Sequence, residues 1–180
     1  MKSRSCVFNG FLALAALALI AGCGTTEERQ HKKEVSTFRV HIESDQQSDH
    51  SSAISVMRSS PILLNIDREA VLDENNVAAA LVVEQLGGFA IEVKFNRQGS
   101  WILERTTVTN KGRHLAIFSY FGQSRWLAAP MITSRTSSGM LTFTPDCTRE
   151  EADRFVRGLN NVVHKAERRE NWPFNGPLDK

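Results

Sequence analysis

Residues 87–95 read GGFAIEVKF, a glycine pair followed by Phe89, Ile91, Val93 and Phe95 alternating with Ala90, Glu92 and Lys94. A period of two with one apolar side is the signature of a strand half buried in a sheet, and Gly87-Gly88 supplies a turn into it. The run before the turn, 77–83, fits either element: its alanines suit a helix and its paired valines a strand. Beyond the strand, Ser100 is a suitable N-cap for a helix over 101–110 that stops at Gly112. Its threonines at 106, 107 and 109 lower the intrinsic helix propensity.

Working outward, 114–120 is apolar on both faces, as a central strand is. Phe121-Gly122 turns it back into 125–129, where Pro130 limits pairing. Two more short strands follow, 131–135 and 140–143, around Ser137-Ser138-Gly139. Thr148 and Glu151 then form a capping box. Ala152, Phe155, Val156, Leu159, Val163 and Ala166 recur at helical spacing on one face. His164, Lys165, Arg168 and Arg169 sit where the macrodipole of that helix favours positive charge. Toward the N-terminus, Phe38, Val40 and Ile42 alternate with Arg39, His41 and Glu43. Further short strands are expected at 54–56 and 62–66, with a polar loop at 44–52, a break at Ser59-Ser60-Pro61 and a turn over 73–76. Strands outnumber helices and hairpin-like turns join several of them. The expectation is an α+β domain, a largely antiparallel sheet with two helices packed on one face.

The first residues carry Lys2 and Arg4, an apolar run over 11–20, and then Ala21-Gly22-Cys23. Charge, a short apolar core and small residues at a cut site are the parts of an export signal. The run is ten residues, about half the roughly 20 that a spanning helix needs. Ile20-Ala21-Gly22-Cys23 resembles the bacterial lipobox, which implies cleavage between Gly22 and Cys23 and lipidation of the Cys23 thiol. Two or more acyl chains anchor a protein stably, because each buried methylene contributes roughly 0.8 kcal/mol. The expected organisation is a signal over 1–22, a lipidated flexible tether over 23–35, one α+β domain over 36–170 and an irregular tail over 171–180. Trp172 and Phe174 in the tail are expected to fold back on the domain.

Loss of the signal removes Lys2 and Arg4, so the 22 basic residues of the chain fall to 20, equal to its 20 acidic ones. No concentrated basic face remains to mark a nucleic-acid binder. Cys6 leaves with the signal and Cys23 is spent on lipid. Cys147 is then alone, with neither a disulfide partner nor the companions of a metal site. His31, His41, His50, His114 and His164 show no zinc-like spacing; His31 and His50 fall in polar stretches and His41 on the polar face of its strand. No Gly-x-Ser-x-Gly elbow or phosphate-cradling glycine loop occurs. The sequence thus points to no catalytic residue, no metal and no cofactor.

The stretch from Thr106 onward resembles the head subdomain of the first periplasmic domain of SecD, an accessory subunit of the Sec export machinery. The resemblance rests on 109–117 (TNKGRHLAI), on Ala129-Pro130-Met131-Ile132, on Gly139 ahead of a strand ending at Phe143, on 148–152 (TREEA) and on Leu159-Asn160. These residues cover some 55 positions, and with the strand over 89–95 the SecD-head-like portion spans about 77–165. The resemblance implies that fold and a protein-binding habit. Two departures limit it. SecD has several membrane-spanning helices that support proton-driven work, and this chain has no candidate span outside its signal. Phe143-Thr144-Pro145-Asp146 also stands where the family has a small, Gly-containing turn.

Phe118, Tyr120, Phe121 and Trp126 cluster about one turn beside Arg125. Ala116, Phe118 and Tyr120 share a strand face opposite Leu115 and Ile117. With helices on the Leu115 side, that face either binds an extended peptide or a partner's strand, or is covered by the N-terminal strands as core. The function expected is a lipid-anchored, non-catalytic interaction module of the cell envelope with a protein or peptide partner and the membrane as its anchor. Gly24 after the cysteine, rather than Asp, favours the outer membrane facing the periplasm in a diderm cell. A self-associating structural lipoprotein and a hydrolase without a recognisable motif are the alternatives.

Overall fold

The computed structural model describes residues 26–45, 50–58 and 60–170. The segment expected to be a signal, the expected cleavage and lipidation site at Gly22 and Cys23, and the tail over 171–180 lie outside them. The chain divides between Lys32 and Lys33 into two units. In the first, helix α1 spans Thr26–His31, within the stretch expected as a flexible tether. Glu, Arg and Gln are good helix formers, and the Lys32 N–H extends the turn to the Glu28 carbonyl at 3.1 Å.

The second unit contains β1 (Thr37–Ile42), β2 (Ser51–Val56), β3 (Ile62–Asp67), β4 (Leu72–Asp73), β5 (Val77–Gln85), β6 (Gly88–Phe95), α2 (Arg97–Thr109), β7 (Leu115–Tyr120), β8 (Ser124–Ala128), β9 (Met140–Phe143) and α3 (Arg149–Glu170). The α+β class and the antiparallel pairing are as expected, but the strands form three sheets rather than one. Their orders are β4-β1-β7-β8, β5-β6-β9 and the hairpin β2-β3. The chain passes from the first sheet to the second at the 73–76 turn. Asp73 Oδ1 accepts the Asn75 N–H at 2.9 Å, and the Asp73 N–H reaches Asn76 Oδ1 at 3.1 Å. This reciprocal cap turns the backbone through a single 3₁₀ turn, so β5 cannot continue the sheet that β4 ends.

The ambiguous run at 77–83 is strand. Val82 pairs with Ile91 and Gln85 with Gly88 across the turn, where Gly87 takes φ +87°, a conformation that L side chains rarely adopt. The main core lies between the first two sheets and both long helices. Phe38, Val40, Leu115 and Ile117 face Ile91, Val93 and Phe95, with Leu103 from α2 and Ala152, Phe155 and Leu159 from α3. A smaller cluster on the other side of the first sheet joins Ala116 to Val56, Leu64 and Ile66 of the hairpin, with Trp126 packed against it. The N-terminal hairpin therefore covers the face that held the aromatic residues.

Helix α2 begins at Arg97, capped by Asn96, whose Oδ1 accepts the Gly99 N–H at 2.9 Å. Ser100, the cap expected from sequence, instead donates its hydroxyl to the Phe95 carbonyl. Residues 131–135 are not a strand. Met131 makes an isolated bridge to His114, and Thr136 then donates its N–H to Thr107 Oγ1, which draws the chain along α2. The capping box of α3 is present: Glu151 Oε2 accepts the Thr148 N–H at 2.9 Å and Thr148 Oγ1 accepts the Glu151 N–H at 3.3 Å. Its expected apolar face is buried as far as Val163, but Ala166 is exposed with its neighbours 164–169.

Gly158 in the middle of α3 is explained by a crossing. A Cβ there would lie 2.9 Å from the Ser36 nitrogen and 3.0 Å from the Val35 carbonyl carbon. Alanine is about 1 kcal/mol better than glycine inside a helix, yet overpacking costs about 1–3 kcal/mol. Gly158→Ala is expected to lower stability in urea unfolding. Ser36→Ala removes a buried hydroxyl that has no partner among the described residues, so the double variant is expected to recover part of the loss. A stability gain in Gly158→Ala alone would contradict the close packing.

Candidate functional site

The five residues expected to form one binding face are divided by the fold. Phe121 is 3% exposed and belongs to the main core, its ring 6.3 Å from that of Phe155. Arg125 lies over the Phe121 ring at 5.6 Å, and its guanidinium grips Glu151 with two bonds of 2.8 and 2.9 Å. Trp126 and Phe118 are half-buried and meet edge to face at 5.2 Å, and the His41 ring also meets Trp126 edge to face, at 5.5 Å. Tyr120 alone is exposed, at 49%. These residues hold the sheet to α3 and to the hairpin. They do not present a common surface.

The histidines are placed apart as well. His41, expected on a polar strand face, is buried under the hairpin with Nδ1 2.9 Å from the Asp67 carbonyl. Burial lowers its pKa below the usual value. His114 Nδ1 is 2.7 Å from Glu43 Oε2, and His164 is exposed near the end of α3. Among the described residues no three His, Cys, Asp or Glu side chains converge to hold a metal ion. Cys147 is half-buried. Burial, and then the Glu151 carboxylate, push its thiol up to about 11. It is a neutral thiol near pH 7 and a poor nucleophile.

An opening with apolar, charged and aromatic groups lies elsewhere among the described residues. A cleft of about 400 Å³ runs between α2 and the connection from β3 to β4. Ile42, Val71 and Ile102, each packed against the main core, line it on the apolar side. Asp67 and Glu69 lie on one wall and Arg105 on the other. Trp101 lines the same wall at 60% exposure, with the Arg105 guanidinium 5.6 Å from its ring. The helix creates this exposure. Gly99, Leu103, Thr106 and Thr107 face inward, so Trp101, Arg105 and Val108, spaced four and three residues apart, fall on the outer side. An exposed indole beside apolar walls and charges of both signs can hold a segment of chain by stacking, apolar contact and ion pairing. No nucleophile and base lie together in the lining, and Asn110 is engaged with the Thr106 carbonyl and Thr109 Oγ1. Sequence reasoning passed over Trp101 as the first apolar residue of a helix. The outward stripe it forms with Arg105 and Val108 was the available signal.

No family model and no curated protein matches the chain. Solved structures do. The chain is similar to SecDF, a membrane component that enhances protein export, with a TM-score of 0.54 and 15% identity over 78% of this chain and 70% of that one. It is likewise similar to SecDF in its super-membrane-facing form, with a TM-score of 0.53 and 16% identity over 77% of this chain. That second match spans 21% of the SecDF chain. The likeness is one of fold, and it agrees in kind with the SecD-head resemblance of the segments from Thr106 to Asn160. No helix among the described residues is long and apolar enough to cross a membrane.

Proposed function

We propose that this chain is a lipid-anchored, non-catalytic protein of the cell envelope whose Trp101 cleft binds an extended segment of a partner protein or peptide. The observation that carries the binding reading is the cleft itself, with an exposed indole and no catalytic constellation beside it. The anchor rests on the lipobox-like Ile20-Ala21-Gly22-Cys23. The SecDF-like fold supports a place in the envelope, since SecDF is a membrane component.

Two variants test the two halves separately. Cys23→Ser is expected to abolish labelling by radioactive palmitate and to move the chain from the membrane to the soluble fraction. Retention of both label and membrane attachment would sink the anchor. A photo-crosslinking amino acid at Trp101 is expected to yield a reproducible adduct in intact envelopes. The same group at Leu86, exposed at the end of the β5–β6 hairpin, is the control. Equal adducts at both positions, or none at 101, would remove the cleft as the binding site and leave the anchor untouched.

A further inference from the structure

Among the described residues, strand β2 has outward backbone groups, those of Ala53 and Ser55, that no other segment meets. The ladder between β2 and β3 pairs Ser51 with Asp67 through Val56 with Ile62. The Arg68 N–H donates to the His50 carbonyl at 3.1 Å. In an antiparallel ladder the pairs that exchange bonds alternate with those that do not. Ser52, Ile54 and Val56 are therefore bonded to β3, and Ala53 and Ser55 point their N–H and C=O groups away from it. The same parity holds on β3. The outward carbonyls of Asn65 and Asp67 are met by the Ser44 N–H at 2.8 Å and by His41 Nδ1 at 2.9 Å. Among the described residues nothing meets the outward backbone groups of Ala53 and Ser55.

Most of the other edges are shortened or covered, as edges of stable soluble sheets are. Strand β4 has two residues and β9 four. On β5, the Asn160 side chain accepts the Ala80 N–H and donates to the Ala80 carbonyl, both at 2.9 Å. On β8, the Leu127 carbonyl takes the Asp146 N–H at 2.7 Å. Strand β2 has six residues, SSAISV, with no charge, proline or glycine to discourage pairing.

We propose that β2 is the seam of a two-fold dimer of this chain, in which two hairpins join as one four-stranded antiparallel sheet. The self-complementarity is geometric. A two-fold axis at Ile54 sets Ala53 opposite the partner's Ser55 and Ser55 opposite the partner's Ala53, the positions whose backbone groups point outward. Ile54 then faces the partner's Ile54 in a pair without direct backbone bonds, where side chains approach closest, with Cα atoms about 4.5 Å apart. Ile54 already packs on the smaller core cluster, so the contact extends that cluster across the axis. An uncharged strand meeting itself brings no like charges together, which a two-fold contact otherwise does. The proposal does not depend on the anchor or on the Trp101 cleft.

The test is disulfide trapping of the full chain in envelopes, in a Cys147→Ser background. Ile54→Cys on the axis falls within the Cα separation that a disulfide tolerates, about 4.4–6.8 Å. Mild oxidation is expected to convert it to covalent dimer. Leu63→Cys, 82% exposed on β3 and away from the axis, is expected to give none. The Cys147→Ser parent accounts for any dimer made through Cys6 or Cys23. Adding Ala53→Pro to Ile54→Cys is expected to abolish trapping. Light scattering of the detergent-solubilised wild-type chain, expected to give twice the protomer mass, reads the assembly without any variant. A monomer mass, equal trapping at 54 and 63, or a 54 crosslink to a different protein would each overturn the dimer.

Discussion

Replacing Phe155 by alanine is expected to cost about 3–5 kcal/mol, as truncation of a fully buried phenylalanine does. Phe155 is completely buried on α3. Its ring lies 6.4 Å from that of Phe38 on β1 and 6.3 Å from that of Phe121 after β7, and Phe38 meets Phe95 of β6 at 6.1 Å. This chain of rings joins two sheets that no strand pairing connects. The cavity left by alanine would be bounded by elements from both sheets and the helix, so no single side chain can swing in to fill it. Urea unfolding should show a lower midpoint with an unchanged slope, the mark of lost stability rather than a changed fold. Val108→Ala on the outer face of α2 should stay within about 0.5 kcal/mol of wild type, as exposed positions do. Equal losses in the two variants would refute the core drawn from these rings.

How much of this was legible in the sequence follows the range of the interactions. The alternation from Phe89 to Phe95 and the box of Thr148 with Glu151 are local patterns, and both are present in the fold. Local rivalry explains the start of α2. Asn96 and Ser100 are both good caps, and Asn96 prevails because the chain leaves β6 directly beside the 73–76 turn. There a Cβ on Gly99 would sit 2.6 Å from the Asn76 carbonyl oxygen, so the glycine inside the first turn is required by the approach of another segment. Ala166 has the right spacing for the core but lies beyond the point where α3 has anything to pack against. The division into separate sheets depends on a capped 3₁₀ turn only three residues long, which periodicity does not register.

The candidate site was less legible for the same reason. Alternation correctly placed Ala116, Phe118 and Tyr120 on one side of β7. Whether that side was a surface or an interior depended on a hairpin some fifty residues earlier in the chain, a long-range pairing that no local pattern encodes. Once β2 and β3 cover it, Trp126 and Phe118 become packing residues. The exposed aromatic chemistry moves to Trp101, on a helix whose inner face is set by Leu103, Thr106 and Thr107.

Glu151→Gln is expected to cost about 1.5–3 kcal/mol at neutral pH, the range for charge-assisted bonds, and to flatten the acid limb of the stability curve. Glu151 is more than half of a helix cap. Besides the Thr148 N–H, its carboxylate accepts two bonds from Arg125 and one from Gln123 Nε2 at 2.9 Å. It thereby ties the start of α3 to β8. The Arg125 bonds come first among the causes that lower its pKa from the ordinary 4.5 to about 2. A carboxyl whose pKa falls on folding contributes stability that is complete above its unfolded value, because the unfolded chain then takes up protons first as the pH drops. That contribution is lost progressively between about pH 4.5 and about pH 2. Gln keeps a side chain able to accept the cap bond but carries no charge for Arg125, so the variant should lose the ion pair and its share of the acid dependence together. Glu151→Ala should lose the cap as well, a further cost of about 1 kcal/mol. Arg125→Met, which removes the charge while keeping the stem over Phe121, should also raise the Glu151 pKa and flatten the same limb. If Glu151→Gln unfolded with the same pH dependence as wild type, the tie between α3 and β8 would have to be carried by apolar packing alone.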